Sequence, residues 1–462
     1  MKKIRVIIQG FGVVGASTAI NIVSSNNFNN IFHVHCIEKT SQTGIKRIED
    51  AKKGIFPINT SDKLIDFYLK KALQKNKISF GLDQKKYKNA DIIIISINCA
   101  LNNRNTIKIK EFEQSVISIL NNISENTLLI VESTVPPGTC ERIIYPALKK
   151  ICKRRNMNSK KIYLAHSFER VTPGQNYLNS CRNSLRVYAG INNISENKCK
   201  NFLSKIINVN DYPLTKLKNI TSSETCKLME NSYRAVNIAF IDEWVKFSNQ
   251  LNLNLFDIIY AIKKRKTHNN IMFPGLGVGG NCLTKDPLFA KISTKQILKK
   301  RSSNFPLCSS AIDINRNMPN TSMKFIELNY KKKLSKKRIL FFGITYKNEI
   351  GDLRHSPSLD LIKKFMKKKS KCYYFDPFVK EINIKGVNKI QLLSRLKNFD
   401  LIIFCVNHLK FKKIKLGKLL SGTKSFLFDL NNVLTINQIN EIKKNNINFY
   451  SFGREITKYR VI

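Results

Sequence analysis

Short continuous apolar runs alternate with helical stretches along the first part of the chain. Runs of this kind, bounded by turn residues, are typical of buried parallel strands. They fall at residues 3–9, 32–37, 91–96, 127–131 and 162–165, and a helical pattern around 112–120 separates two of them. This alternation predicts an α/β unit at the N-terminus.

The middle and the end of the chain follow two other patterns. From residue 222 to about 250 there is no Gly or Pro, which predicts one long helix. Beyond about residue 334 the alternation restarts, with apolar runs at 339–342, 372–375, 401–406 and 425–430 and a helix near 358–367. We therefore expect two α/β units that flank a helical middle.

The glycines after the first apolar run add candidate chemistry. Gly10, Gly12 and Gly15 form G-x-G-x-x-G between a predicted strand and a predicted helix, and Glu38 follows the second run, 23 residues after Gly15. This arrangement is the dinucleotide fingerprint, in which the acid accepts the ribose hydroxyls of NAD. A chance glycine turn is the alternative, but strand, helix and acid in register favour NAD. Lys39 weakens the preference of NAD over NADP.

A second glycine-rich segment, 274–287, presents Cys282 after four glycines and just before Lys285 and Asp286. Glycines allow close approach of the backbone to a ligand, and a nearby cation favours the thiolate. We interpret Cys282 as a nucleophile. A buried structural cysteine is the alternative, since free cysteines are usually buried.

The predicted long helix carries a polar face that includes Lys227, Asn231 and Arg234. Their spacing of four and three residues places them on one side of a helix. A solvated ladder of ion pairs is the ordinary explanation. The apolar positions that follow, such as Phe240 and Trp244, instead suggest a helix buried on several sides, so that a substrate becomes a candidate partner for the polar groups.

Composition limits the classes of protein that remain. The 462 residues carry a formal charge of +48, which raises nucleic-acid binding as a hypothesis. The lysines, however, are spread from end to end, without zinc-ligand spacing or an RNA-binding aromatic motif. We attribute the charge to compositional bias and expect no specific nucleic-acid partner and no metal. The eleven cysteines form no C-x-x-C pair and no apolar run reaches the length of a membrane span, which predicts a cytoplasmic protein without a membrane partner.

Taken together, the motifs resemble those of the UDP-glucose/GDP-mannose dehydrogenase family, the NAD-dependent nucleotide-sugar 6-dehydrogenases. The resemblance extends over nearly the whole chain, through six blocks in the family's order: residues 10–15, 132–138, 167–174, 224–243, 274–287 and 342–357. It implies two Rossmann-like doubly wound α/β domains joined by a central helical domain with one long helix. The implied domains are an NAD-binding domain at 1–205, a helical dimerisation and catalytic domain at 206–315, and a UDP-sugar-binding domain at 316–462.

The resemblance also implies a four-electron oxidation, in which a sugar CH2OH becomes a carboxylate while two NAD+ are reduced. Lys227 and Asp286 match the positions for a base or water relay, and Cys282 matches the thiol that forms a thiohemiacetal and then a thioester. Lys227 and Asn231 would stabilise the oxyanion. Glu169 matches the carboxylate that activates water for thioester hydrolysis.

Binding roles follow from the same resemblance. Thr134 matches a residue that positions water and cofactor and is also counted among the catalytic residues. The implied cofactor-binding residues are Gly10, Gly12, Val13, Val14, Gly15, Glu38, Cys99 and Thr134. The implied substrate-binding residues are Arg170, Val171, Lys227, Asn231, Arg234, His268, Gly279, Tyr346, Lys347 and Arg354. The partner implied by analogy is a second copy of the chain, in a dimer built on the long helix.

Several positions depart from the family pattern. Phe168 replaces the usual proline of Ser-Pro-Glu, Cys99 stands where Thr-Pro is common, and Pro173 stands where UDP-glucose enzymes carry a second glutamate. Lys266 and His268 lie where N-acetylhexosamine enzymes tend to show His and Arg.

The substrate is decided by small differences of this kind. Val278 and the run 230–240 resemble the UDP-N-acetyl-D-mannosamine dehydrogenase branch, whereas Lys285-Asp286 resembles the UDP-glucose branch. We expect a UDP-N-acetylhexosamine, acetylmannosamine or acetylglucosamine, for surface polysaccharide biosynthesis, with UDP-glucose second and GDP-mannose third. A non-catalytic binder of nucleotide sugars or nucleic acid is the remote alternative, against which the retained Cys282, Lys227, Asn231 and Glu169 argue.

Overall fold

The structure, a computed structural model, describes residues 3–25, 31–101, 108–300, 303–391 and 393–455, without the side chains of 393–395. The described residues divide into two compact units. The first comprises those of Met1–Glu230 and Leu288–Phe305, and the second those of Asn231–Pro287 and Pro306–Ile462. The predicted boundaries at 205/206 and 315/316 divide the chain into three parts and stay a prediction.

The first unit is built on a mixed sheet. Its strands within the described residues are β1 (Ile4–Gln9), β2 (Phe32–Ile37), β3 (Ile78–Gly81), β4 (Ile92–Ile95), β5 (Leu128–Val131), β6 (Tyr163–His166), β7 (Val187–Gly190) and β8 (Thr215–Lys216). Their spatial order is β3-β2-β1-β4-β5-β6-β7-β8. Pairing is parallel as far as β6, β7 then runs antiparallel to β6, and β8 is parallel to β7.

The order of the strands reverses between β1 and β4, and the register brings three strand ends to one edge. Gln9 at the end of β1 pairs with Ile37 of β2 and with Ile95 of β4. Ligands of doubly wound sheets bind at the carboxyl ends of the strands at such a reversal. The glycine turn after β1 and Glu38 after β2 therefore lie at the edge where the fingerprint predicts a cofactor.

Helices cover both faces of this sheet. They are α1 (Val13–Ser24), α2 (Gln42–Lys52), α3 (Lys63–Gln74), α4 (Ile109–Leu120), α5 (Tyr145–Arg154), α6 (Tyr177–Arg182) and α7 (Asn193–Leu203). Successive strand residues point to opposite faces. Val6 and Ile8 of β1 accordingly pack in one core, and Ile7 packs in a second core on the other side. Burial on both faces explains why the strands appear as continuous apolar runs.

Four further helices form the middle of the chain: α8 (Ile220–Gln250), α9 (Leu255–Lys263), α10 (Asp286–Gln296) and α11 (Pro306–Tyr330). The predicted long helix is confirmed as α8, which begins two residues earlier than expected. The sequence pattern did not predict α11, which runs for 25 residues with Pro319 in its interior. Proline removes one hydrogen bond of a helix, and its usual cost explains why the pattern was missed.

The second unit contains an entirely parallel sheet. Its strands in the described part are β9 (Arg338–Phe342), β10 (Lys371–Phe375), β11 (Val387–Lys389), β12 (Leu401–Phe404), β13 (Phe426–Asp429) and β14 (Asn448–Ser451), in the order β11-β10-β9-β12-β13-β14. The accompanying helices are α12 (Pro357–Lys367), α13 (Leu409–Lys412), α14 (Leu416–Leu420) and α15 (Ile436–Lys444). The predicted fold class is confirmed, with two α/β units and a helical middle.

None of the helices in the described ranges combines the length and the apolar character that a membrane span requires.

Candidate active site

The glycine turn between β1 and α1 has the geometry of a dinucleotide site. Gly10 adopts φ +95°, which favours glycine, and a Cβ on Gly15 would overlap the carbonyl oxygen of Gly10. A Cβ on Gly12 would meet no protein atom within 4 Å. The first glycine therefore makes the turn, the third lets helix and strand pack closely, and the second leaves space for a ligand. Val13 and Val14, both half-buried, begin α1 and place its first N–H groups at this space.

Glu38, directly after β2 at this edge, has a partner that no sequence motif indicated. The carboxylate is buried, with 7% of the residue exposed, and Arg47 of α2 donates to its Oε2 at 3.1 Å. One oxygen is thus engaged by a guanidinium, whose own charge would suit a phosphate. The spacing of nine residues between Glu38 and Arg47 was the available signal.

Glu132, directly after β5, forms hydrogen bonds to three separate parts of the first unit. Its Oε2 accepts from Thr18 of α1 at 3.0 Å and from Ser96 after β4 at 2.6 Å. Its Oε1 accepts from the Arg186 guanidinium at 3.0 Å. Thr134, two residues along the chain, is half-buried at the same end of β5. Cys99 is buried among apolar side chains of the second core, and its predicted cofactor contact stays a prediction.

Arg186 also pairs with Glu169, the predicted activator of water. The guanidinium is buried with both carboxylates, and it further donates to the carbonyl oxygen of Ser167 at 3.1 Å. Burying a charge is costly unless it is paired and hydrogen-bonded. Two glutamates and one arginine form a network in which each charge has a partner. No sequence motif indicated Arg186, because only the arrangement of the strands in the sheet brings it next to these two glutamates.

Lys227 of α8 contacts the segment that contains Glu169. Its Nζ donates to the carbonyl oxygen of Glu169 at 2.9 Å and lies 5.1 Å from the centroid of the Phe168 ring. Arg170 forms an ion pair with Glu230, the acid three residues after Lys227 on α8. Glu169 and Arg170 of one block and Lys227 of another are therefore brought together within the first unit. Val171, half-buried, follows directly.

In the second unit, Asp286 organises the thiol segment. The carboxylate is fully buried, accepts from Asn231 Nδ2 at 2.7 Å through Oδ2, and binds Lys285 Nζ at 2.6 Å through Oδ1. Cys282 is exposed, and its carbonyl oxygen accepts the backbone N–H groups of Lys285 and Asp286, which start α10. The alternative interpretation of Cys282 as a buried structural cysteine is wrong, because this residue is exposed at a tight turn.

The glycines before Cys282 serve a contact within the second unit. A Cβ on Gly279 would overlap the carbonyl oxygen of His355, and Gly280 donates to the carbonyl oxygen of Arg354 at 2.8 Å. The thiol segment thus packs directly on the segment that contains Tyr346 and Arg354. We expected close approach to a ligand here; the approach seen is between two backbone segments.

The cationic residues of the second unit differ in their electrostatic surroundings. Burial and the neighbouring Arg234 lower the pKa of Lys347 to about 8. Arg354 donates to both oxygens of Asp352, so its guanidinium is held on an acid of the same loop. His268 is exposed at the end of a short helical turn, Lys266–His268. Each of these residues stays a predicted substrate ligand.

His408 is a further residue that no motif indicated. It is fully buried after β12, with Nε2 3.3 Å from Asp376 and 3.2 Å from the Thr345 hydroxyl, and Glu349 N–H donates to its Nδ1 at 3.0 Å. Thr345 donates in turn to the carbonyl oxygen of Lys347 at 2.9 Å. The imidazole thereby fixes the loop that carries Lys347.

Comparison with known proteins identifies the family that these features resemble. Three models of the UDP-glucose/GDP-mannose dehydrogenase family match in order: the NAD binding domain at residues 3–208, the central domain at 221–317 and the UDP binding domain at 340–436. The chain is 33% identical to the UDP-N-acetyl-D-mannosamine dehydrogenase of Methanococcus aeolicus over 65% of this chain and 64% of that protein.

Two other comparisons extend over more of the chain. The UDP-N-acetyl-D-mannosamine dehydrogenase of Methanococcus vannielii is 28% identical over 95% of this chain and 94% of that protein. The solved structure of the UDP-D-ManNAc dehydrogenase from Pyrococcus horikoshii superposes with a TM-score of 0.78 at 24% identity, covering 98% of this chain and 100% of that one. At that identity the superposition supports the fold.

Proposed function

The chain belongs to the UDP-glucose/GDP-mannose dehydrogenase family, and on this premise we propose that it oxidises C6 of a UDP-N-acetylhexosamine, acetylmannosamine or acetylglucosamine. Its activity as an NAD-dependent nucleotide-sugar 6-dehydrogenase follows from the family and its relatives. The observation that carries the choice of sugar is the similarity, over 95% of the chain, to a UDP-N-acetyl-D-mannosamine dehydrogenase. UDP-glucose is the second candidate because Lys285-Asp286 resembles that branch.

Bound NAD+ would supply the hydride-accepting chemistry, and the residues of the chain supply the rest. In the first oxidation the C6 hydroxyl loses its proton to water held near Lys227 and Asp286 while C6 loses hydride, and these two losses together convert the alcohol into an aldehyde. The Cys282 thiolate then adds to the carbonyl carbon and forms a thiohemiacetal. Asn231, oriented by Asp286, donates to the oxygen as its negative charge develops.

The second oxidation and the hydrolysis complete the reaction. Loss of a second hydride from C6, together with the hydroxyl proton of the thiohemiacetal, gives a thioester with Cys282. Water attacks the thioester carbon, with its proton taken up on the side of Glu169, and the C–S bond breaks to release the carboxylate and the thiolate. Arg186 holds Glu169 in place for this step. Thr134 positions the water and the nicotinamide.

Substrate binding is assigned in the same proposal to the cationic and polar residues on both sides of the reacting carbon. The pyrophosphate is held by Lys347 and Arg354, and Tyr346 contacts the uridine end. The sugar is held by Arg170, Val171, Arg234, His268 and Gly279. Three domains with boundaries at 205/206 and 315/316, action in the cytoplasm and a role in surface polysaccharide synthesis complete the proposal.

The proposed partner is a second copy of the chain. One side of α8, with the residue that follows the helix, exposes a stripe of apolar residues, Tyr233, Phe240, Trp244, Phe247 and Leu251, each between 45% and 56% exposed. Contiguous exposed apolar surface is characteristic of protein interfaces. This stripe supports a dimer built on the long helix.

A panel of substrates tests the proposal. Purified protein is mixed with NAD+ and UDP-N-acetylmannosamine, UDP-N-acetylglucosamine, UDP-glucose or GDP-mannose, and NADH absorbance is followed with the product. We expect two NADH for each sugar oxidised and the highest kcat/KM with an N-acetylhexosamine. A preference for UDP-glucose would assign the chain to the second candidate. Tight binding of the sugars without any NADH would favour the non-catalytic binder.

A further inference from the structure

Phe168 stands where the family pattern has proline, and its ring faces two cations. The residue is fully buried between His166 and Glu169, the candidate activator of water. Lys227 Nζ and the Arg170 guanidinium carbon each lie 5.1 Å from the centroid of the ring. A cation within about 6 Å of an aromatic face is attracted by the ring quadrupole, and more strongly where water is excluded.

On this geometry, and resting on the proposed function, we propose that Phe168 is a positioning residue that holds the Lys227 ammonium group in place for the oxidation at C6. The ammonium group is held from two directions. The carbonyl oxygen of Glu169 accepts from Nζ at 2.9 Å, and the Phe168 ring supports the same atom. A lysine side chain has a flexible four-carbon stem, so each contact narrows the positions that its charge can occupy.

The ring is itself anchored to the helix that carries Lys227. His166 contacts Phe168 with ring centroids 6.2 Å apart, and His166 Nδ1 lies 2.8 Å from the hydroxyl of Ser223, which is four residues before Lys227 on α8. Burial lowers the pKa of His166 to about 3, so this imidazole is neutral and adds no competing charge. The ring, the histidine and the start of α8 thus form one packed group.

The other cation at the ring, Arg170, has two contacts of its own. Arg170 is held by its ion pair with Glu230 and by a hydrogen bond to the carbonyl oxygen of Leu185, both of which are independent of Phe168. Proline in place of Phe168 would offer no aromatic face. The departure from the family pattern therefore replaces a residue without a ring quadrupole by one that interacts with the catalytic lysine.

Stepwise fluorination of the ring tests the interaction with little change in volume. Phenylalanines with one, two or three fluorine atoms are introduced at position 168 by amber suppression, and the same series at Phe112, buried in the core beside β4, serves as the control. We expect kcat to fall with each fluorine at position 168, by about two- to thirtyfold in total, while KM for NAD+ stays constant. A kcat that does not change across the series overturns the proposal.

Two encoded variants give the complementary comparison. Phe168→Tyr retains an aromatic face and should keep most of the activity, whereas Phe168→Leu fills similar space without a quadrupole and should show the full loss. Equal loss in both variants, with an unchanged fluorine series, would mean that Phe168 acts only through packing.

A measurement without turnover separates this proposal from the proposed function. The rate of acetylation of Lys227 by acetic anhydride is followed by peptide mass spectrometry in the fluorinated series. A rate that rises with fluorination supports the contact even if none of the four nucleotide sugars is oxidised. A constant rate contradicts it even if the enzyme is active.

Discussion

Among single residues, Cys282 carries the most specific chemical expectation. Its thiol lies on an exposed residue at the tight turn that starts α10. Cys282→Ser should lower the rate of uronic acid formation by at least about a thousandfold. A serine hydroxyl is a weaker nucleophile than a thiolate, and the oxygen ester that it would form has an alkoxide as a poorer leaving group. Product formation is measured by mass spectrometry, and sugar and NAD+ affinities by calorimetry. Affinities within about threefold of wild type confirm an intact site; wild-type turnover contradicts the covalent mechanism.

Glu169 is expected to act after both hydrides have left. Glu169→Gln should complete the oxidations and stall as an acyl-enzyme, because an amide cannot take a proton from water. Rapid mixing should show a burst of NADH before a slow steady state, and intact-protein mass spectrometry should detect the added sugar nucleotide. Arg186→Lys, which keeps a charge next to Glu169 but loses the planar fork, should show a smaller burst. An unmodified Glu169→Gln enzyme without a burst would assign the residue to an earlier step.

We expect cofactor choice to be determined at Glu38 and Arg47. The carboxylate opposes a 2′-phosphate and also neutralises the guanidinium at 3.1 Å. Glu38→Ser should therefore raise kcat/KM with NADP+ relative to NAD+ by about tenfold or more, because Arg47 then becomes available to the phosphate. The double variant Glu38→Ser, Arg47→Ala is the control and should lose the gain. If the single variant keeps the wild-type ratio, Arg47 does not reach the 2′ position.

Between elements, Glu224 connects the first turns of α8 to the segment after β5. Its oxygens accept the backbone N–H groups of Gly138 at 2.6 Å and Cys140 at 2.8 Å. Burial raises the pKa of Glu224 to about 8, although these N–H groups act in the opposite direction. The segment after β5, in the part that follows Thr134, is therefore fastened to α8 by a carboxyl group whose pKa is raised by burial.

The sign of this shift predicts how stability depends on pH. The folded state holds the Glu224 proton more tightly than the unfolded state, whose glutamates titrate near about pH 4.3. Its contribution is therefore complete below that pH and is lost as pH rises to about 8. The free energy of unfolding of the wild-type protein, measured with urea, should fall as the pH rises across this range. In the Glu224→Gln variant this fall should be smaller. Glu111→Gln, on the exposed surface of α4, is the control and should leave the fall unchanged.

In the whole molecule, the apolar stripe on α8 predicts the assembly. Substitution of Trp244 and Phe240 by lysine should convert a dimer into a monomer, because each charge would be buried against apolar side chains of the other copy. Light scattering after size exclusion measures the mass. Leu328→Lys, at a 72% exposed position on α11, is the control and should not alter it. Wild-type protein that remains monomeric at micromolar concentration would contradict a dimer on this helix.

Secondary-structure elements can be predicted from the amino-acid sequence where the pattern that defines them lies within the element itself. The apolar runs at 127–131 and 401–406 correspond to β5 and β12, and the uninterrupted helical stretch corresponds to α8. Strands buried on both faces must be apolar throughout, and a helix without Gly or Pro continues, so both leave a direct trace in composition. The glycine spacing of the fingerprint was equally readable because Gly10 and Gly15 meet steric requirements set within a few residues, a positive φ at Gly10 and the close carbonyl oxygen of Gly10 at Gly15.

Only the tertiary structure decided which distant residues share an electrostatic environment. Arg186 joins Glu132 and Glu169 through neighbouring strands, and Asp286 accepts a hydrogen bond from Asn231. These pairings depend on strand order and helix packing, which place groups many residues apart within hydrogen-bonding distance. A pattern of residue types contains the charges but not their partners, and it is the partners that stabilise a buried charge.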